Sequence, residues 1–141
     1  MKKDFACGIV PVKKENNELL FLLVQGKAGF WGFPKGHQDE GEAELETAKR
    51  ELFEETGIKS TGLVYDKKFG IVYNVEREGE VCEKTVVFFV EFFEDAEISI
   101  PLEFRDEIQK AEWVNFEKAK ILFNFEAPKK LITEVNKYLL N

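Results

Sequence analysis

The chain has little cysteine, little positive charge and no long apolar run. Its two cysteines, Cys7 and Cys82, lie far apart among apolar, strand-like residues. That setting predicts buried, reduced thiols rather than a disulfide or a metal pair, and so a reducing, cytoplasmic compartment. Twenty Lys and Arg stand against 27 Asp and Glu, a formal charge of −7 with a pI near 4.9. A general nucleic-acid or anionic-membrane binder needs a positive footprint, so both classes are excluded. Met1-Lys2-Lys3 runs into Asp4 with no apolar stretch behind it, which predicts neither a signal peptide nor a membrane span. No linker, repeat or low-complexity segment divides the 141 residues, a length that suits one domain over 1–141. The oligomeric state stays open, with a monomer favoured.

What the chain does have is a concentrated acidic stretch between Gly36 and Ile58. Each glycine in a helix interior costs about 1 kcal/mol relative to alanine, so Gly36, Gly41 and the acidic residues between them predict a loop over 36–42. From Ala43 onward Leu45, Ala48 and Leu52 line one helical face, and Gly57 stands where a left-handed C-cap is wanted. This predicts a helix over 43–56. On it Glu51, Glu54 and Glu55 share a face, with Arg50 one turn before Glu54. Like charges at that spacing destabilise a helix, and a hard divalent cation such as Mg²⁺ or Mn²⁺ relieves the repulsion. A solvated acidic face is the alternative from composition alone.

Gly36, Glu42 and the run Arg50-Glu51-Leu52-Phe53-Glu54-Glu55-Thr56-Gly57-Ile58 resemble the signature of the Nudix hydrolases, with every fixed position filled. The resemblance implies an enzyme that uses Mg²⁺ or Mn²⁺ and lets water attack a phosphorus of a nucleoside diphosphate linked to another group. It implies Glu51, Glu54, Glu55 and the Gly36 carbonyl as metal ligands, Glu51 and Glu54 as catalytic, Arg50 as the residue orienting a glutamate, and Glu42 as a brace for the loop. Many family members add a carboxylate ahead of a late strand as a further metal ligand or general base. Glu107 is the candidate here, then Glu103.

Elsewhere, Phe5 to Val12 and Leu19 to Gln25 read as strands joined by a polar turn, and Pro34 biases Phe33 toward an extended approach to the glycine loop. Leu63 to Val75 and Val81 to Phe93 read as a hairpin around Glu76-Arg77-Glu78-Gly79-Glu80. Val86-Val87-Phe88-Phe89-Val90 lacks alternation, as in a central strand covered on both faces. Lys110 to Asn115 reads as a short strand, Phe116 to Leu122 as a short helix, and Pro128 to Leu140 as a helix carrying Leu131, Val135, Tyr138 and Leu139 at helical spacing. The class is α/β, a mixed central sheet between helices, the α/β/α sandwich that the Nudix resemblance also implies.

Three features resemble the asymmetric diadenosine tetraphosphate hydrolases within that family. Pro34-Lys35-Gly36-His37 matches their loop entry, Tyr73 falls where they carry a base-stacking tyrosine, and Lys84-Thr85-Val86 matches the start of their long strand, where the lysine reaches phosphate. The resemblance therefore implies a small nucleotide substrate, with Lys35, His37, Tyr73, Lys84 and Phe125 as its binding residues. His37 is the only histidine. Trp31 and Phe33 are candidates for the floor of a base pocket or for the core, and Phe123 for its wall or the core. The rivals are a Nudix pyrophosphohydrolase acting on an RNA triphosphate end, a nucleoside triphosphate or a diphosphoinositol polyphosphate, and a catalytically silent nucleotide-sensing Nudix domain.

Overall fold

A computed structural model describes residues 1–141 and shows a seven-stranded sheet with helices on both faces. Strands β1 (Lys2–Glu15) and β2 (Glu18–Gly26) form a hairpin across Asn16 and Asn17, whose φ values of 52° and 67° suit the left-handed turn that asparagine tolerates. Cα pairing between them runs only from Val12 and Phe21 to the turn. Beyond it β1 pairs instead with the two-residue β4 (Lys35–Gly36), and β2 with β3 (Trp31–Gly32) on one edge and β7 (Ile108–Asn115) on the other. Gly36 thus lies in a short strand rather than in the open loop predicted for 36–42. Its partner across the sheet is Cys7.

The long hairpin of β5 (Val64–Arg77) and β6 (Glu80–Phe92) turns at Glu78 and Gly79, both at positive φ, so its loop is shorter than the predicted five residues. Strand β6 runs parallel to β1 and antiparallel to β5, which makes the sheet mixed and β6 an interior strand. A parallel neighbour needs a crossover, and helix α1 (Glu44–Thr56) lies within it. Helix α2 (Phe116–Leu122) and helix α3 (Glu126–Leu140) follow the last strand.

Alternation along β1 distributes its side chains to two cores. Ala6, Val10 and Val12 join Phe21, Phe88, Leu131, Ile132 and Val135 under α2 and α3. Cys7 and Ile9 join Leu22, Leu52, Ile58 and Phe93 under α1. Phe33 and Phe123 belong to the first core, 5.5 Å apart edge to face, which excludes both from a base pocket; Trp31 is half-buried against the same cluster. Both thiols are free, and burial pushes Cys7 up to about 11.

Ala43 caps α1 without a side-chain acceptor, and the Glu46 carboxylate accepts its N–H at 3.0 Å instead. At the other end Gly57 takes φ 78° and its N–H bonds the Phe53 carbonyl at 2.7 Å. The Ser99 N–H reaches the Thr56 carbonyl at 2.9 Å, tying the end of α1 to the segment that leads to Glu107. Buried Glu91 of β6 secures the exit from α1, accepting hydrogen bonds from the Ser60 hydroxyl and from the Thr61 amide and hydroxyl. A Cβ at Gly57 would overlap the Ser99 carbonyl, whereas one at Gly41, also at positive φ, meets no atom within 4 Å. Gly41→Ala therefore loses only the left-handed preference, about 1–2 kcal/mol, and Gly57→Ala loses that plus the clash, about 3 kcal/mol or more. Thermal melts of the two variants should show the larger fall for Gly57→Ala; equal shifts would contradict the close packing of Ser99.

Candidate active site

Arg50 anchors the acidic side of the site. Its Nε donates to Glu42 at 2.7 Å and its Nη2 to the same carboxylate at 3.0 Å and to the His37 carbonyl at 2.9 Å. Its Nη1 donates to Glu54 at 3.0 Å and lies 3.5 Å from Glu51. Glu42 also accepts from the Thr47 hydroxyl and the Asp39 amide, both at 2.8 Å. The Arg50 bond, with that amide, holds Glu42 down at about 2, while Glu42 first and Glu54 next raise the proton affinity of Arg50 further. One guanidinium thus joins the loop to the helix.

Glu51 and Glu55 occupy the other side of this face. Burial first, then Glu54, pushes Glu51 up to about 7, with Arg50 opposing and Glu107 adding repulsion. Glu55 is raised well above the usual carboxylate range by burial and then by Glu51, with Lys35 opposing through its charge and its backbone N–H. The Glu51 carboxylate lies where a Cβ of residue 36 would stand, so only glycine lets it approach this backbone. No three of the acidic side chains close into a metal cluster. Glu54 accepts from Arg50, and Glu55 accepts from the Lys35 backbone N–H.

Glu107 precedes β7 and bears electrostatically on both Glu51 and Glu55, and Glu103 lies in a short turn of 3₁₀ helix over Leu102–Phe104. A cavity of about 520 Å³ beside this segment, lined by Ile98, Arg105, Ile108 and Lys110 among others, contains none of the candidate residues.

Lys35 links the acidic side to a basic one. Burial first and Lys84 next lower Lys35 to about 8. Lys84 is 8% exposed and lies on an interior strand. Tyr73 stands opposite it in the β5–β6 register and is half-buried; burial first, then Asp4, raises its hydroxyl pKa. Phe125 lies apart, 55% exposed, its ring 5.0 Å from the equally exposed Phe30. Sequence reasoning passed over Asp4, which receives His37 Nε2 at 2.9 Å on each carboxylate oxygen and has Lys84 Nζ at 3.8 Å. The only signal for it is the parallel register, which pairs Asp4 with Lys84.

A glycine-backed acidic helix facing buried lysines, on an α/β/α sandwich, is the arrangement of a phosphoanhydride hydrolase. The NUDIX domain family model matches residues 2–135, and the chain belongs to that family. It is a Nudix hydrolase, a class that generally requires a divalent metal ion. The chain is 33% identical to the asymmetrical bis(5'-nucleosyl)-tetraphosphatase of Rattus norvegicus over 142 aligned residues, covering 95% of this chain and 94% of the rat protein. A C. elegans Ap4A hydrolase solved as a binary complex superposes with a TM-score of 0.75 at 25% identity, covering 97% of this chain and 98% of that one. The chain is 44% identical to the RNA pyrophosphohydrolase of Bartonella bacilliformis over 48 residues, 34% of this chain and 28% of that protein.

The raised proton affinity of Glu51 has a measurable consequence. A folded-state value near 7 against 4.5 unfolded contributes stability below pH 4.5 that is lost as pH rises through 7. With divalent ions chelated by EDTA, Glu51→Gln should therefore melt above wild type at pH 8, by roughly 3 °C or more, and the gap should close toward pH 5. Saturating Mg²⁺ should reverse the order at pH 8. A variant no more stable than wild type in EDTA at pH 8 would show that Glu51 carries no such burden.

Proposed function

We propose that this enzyme hydrolyses a phosphoanhydride of dinucleoside polyphosphates in a Mg²⁺- or Mn²⁺-dependent reaction, cleaving diadenosine tetraphosphate to ATP and AMP. The observation that carries the reading is the cross-strand pair of Tyr73 and Lys84, an aromatic ring beside a buried ammonium that Lys35 links to Glu55 of the acidic helix. A base needs a π-face and a phosphate chain needs fixed cations, and this pair offers both. The names of the rat and C. elegans relatives support the same substrate class.

The residues fit a hard cation. Only glycine at 36 admits the Glu51 carboxylate, and Glu51, Glu55 and Glu107 repel one another for want of positive charge. The Gly36 carbonyl, Glu51, Glu54, Glu55 and Glu107 would hold it, and such an ion supplies neutralisation of phosphate charge and an acidified water. Arg50 keeps Glu54 and the glycine loop in one frame, while Lys35, His37 and Lys84 bind the phosphate chain. Water adds to one phosphorus of the bridge, the P–O bond to the bridging oxygen breaks, and Glu51 or Glu107 takes the proton. Tyr73 stacks on one adenine and Phe125, with Phe30, meets the other. The substrate on this reading is a small nucleotide rather than a nucleic acid or a membrane lipid. We further propose a cytoplasmic enzyme with one domain over 1–141.

Product identification on a panel of diadenosine tetraphosphate, a nucleoside triphosphate, triphosphate-ended RNA and a diphosphoinositol polyphosphate tests this directly. The expected result is ATP and AMP from diadenosine tetraphosphate, at the highest kcat/KM of the panel, abolished by EDTA. Preference for another substrate would move the chain to a different Nudix activity, and no turnover on any would favour a nucleotide sensor.

The ring of Tyr73 permits a sharper test. Tyr73→Ala should weaken diadenosine tetraphosphate binding by roughly 1–3 kcal/mol, read as a higher KM, while Tyr73→Phe keeps the stacking face and changes little. If Tyr73→Ala lowers the melting temperature yet leaves KM alone, the ring is packing rather than a base platform.

A further inference from the structure

Two oxygens of one carboxylate on one histidine nitrogen is an unusual grip for a surface loop. His37 is 58% exposed in its side chain, yet it is held twice: Arg50 Nη2 bonds its carbonyl at 2.9 Å, and Asp4 takes Nε2 at 2.9 Å on each oxygen. A histidine with no task in a seven-residue acidic loop gains nothing from being fixed at both backbone and ring. Asp4 also lies 3.8 Å from Lys84 Nζ, and Lys35 lies against Lys84, so the histidine ring is anchored within the basic group.

We infer that Asp4 is a positioning residue, which holds the His37 imidazole through Nε2 and so presents Nδ1 to the polyphosphate chain beside Lys84. The inference rests on the nucleotide reading above and adds a residue outside the signature helix and its loop. An ionised carboxylate only accepts hydrogen bonds, so Nε2–H donates to Asp4; phosphate oxygens also only accept, so Nδ1 carries a proton of its own when it meets the chain and donates it, with the Asp4 carboxylate balancing the imidazolium. The carboxyl of Asp4 is held below its ordinary range, first by the His37 hydrogen bond, which keeps it ionised at neutral pH. Its place follows from the fold, because the parallel register sets Asp4 beside Lys84 on one edge of β1, while the antiparallel β1–β4 pairing on the other edge runs the start of the glycine loop toward the same end of the strand.

The chain contains a single histidine, so its ring nitrogens can be followed without ambiguity by ¹⁵N NMR. Wild-type protein should show a protonated Nε2, and titration with ATP should bring a proton to Nδ1 and move its resonance. Asp4→Ala should lose both the single tautomer and the response to ATP, with Asp4→Glu restoring part of each and the melting temperature unchanged. In turnover of diadenosine tetraphosphate, Asp4→Ala should lower kcat/KM about tenfold, in the range for losing a partner that orients a histidine. Adding Asp4→Ala to His37→Gln should then cost nothing further, since the two act as one unit. A ring that ignores ATP in wild type, an Asp4→Ala variant with wild-type NMR behaviour, or independent losses in the double variant would overturn the assignment. Absence of any nucleotide hydrolysis by wild type, with the ATP response of His37 intact, would instead reject the proposed activity and leave the Asp4 assignment standing.

Discussion

The Arg50 guanidinium is the contact on which the acidic site depends. Glu42, Glu51, Glu54 and Glu55 converge from a loop and a helix, and one buried-side cation reaches the first three within 3.5 Å while also bonding the His37 carbonyl. Carboxylates this close would separate in water, because each gains hydration that the crowded site denies. The planar fork of arginine supplies several donors at fixed angles, so it can hold Glu42 and Glu54 at once where a lysine would satisfy one. The remaining excess of negative charge falls on Glu51 and Glu55, whose carboxyls are both raised in proton affinity. Such a site is poised to gain from a divalent ion.

Charge is then ordered across the site. Glu107, Glu51 and Glu55 form its acidic end, Lys35 touches Glu55 through its amide, and Lys84, Asp4 and His37 form the other end. Polyphosphate and cation together are a complementary pattern, since the metal-facing oxygens need carboxylates nearby and the rest of the chain needs fixed donors. The overall negative charge of the protein leaves this local group as the attraction for an anion, which favours short, specific ligands over extended ones.

Periodicity and punctuation made the elements legible. Gly57 marked the end of α1 because a left-handed C-cap at φ 78° suits glycine, and Phe116 to Leu122 was bounded by Asn115, whose side chain caps the helix by accepting the Lys118 amide. Shared orientation of Glu51, Glu54 and Glu55 followed from helical spacing alone. The ends of the strands were less visible: β1 extends back to Lys2, through residues too polar to announce a strand, because β6 supplies the hydrogen bonds that keep it extended. Phe33 and Phe123 were ambiguous in sequence, since an aromatic residue looks the same whether it lines a pocket or fills a core, and packing assigned both to the core.

Local chemistry by itself therefore determined the acidic helix, its glycine boundaries, the sandwich of sheet and helices, and the family. Those depend on neighbours along the chain, whose spacing is written in the order of residues. Only the tertiary structure decided that Tyr73 faces Lys84 and that Asp4 grips the single histidine. Each of these is a meeting of residues far apart in sequence, and strand register, which no local pattern encodes, sets the distance between them.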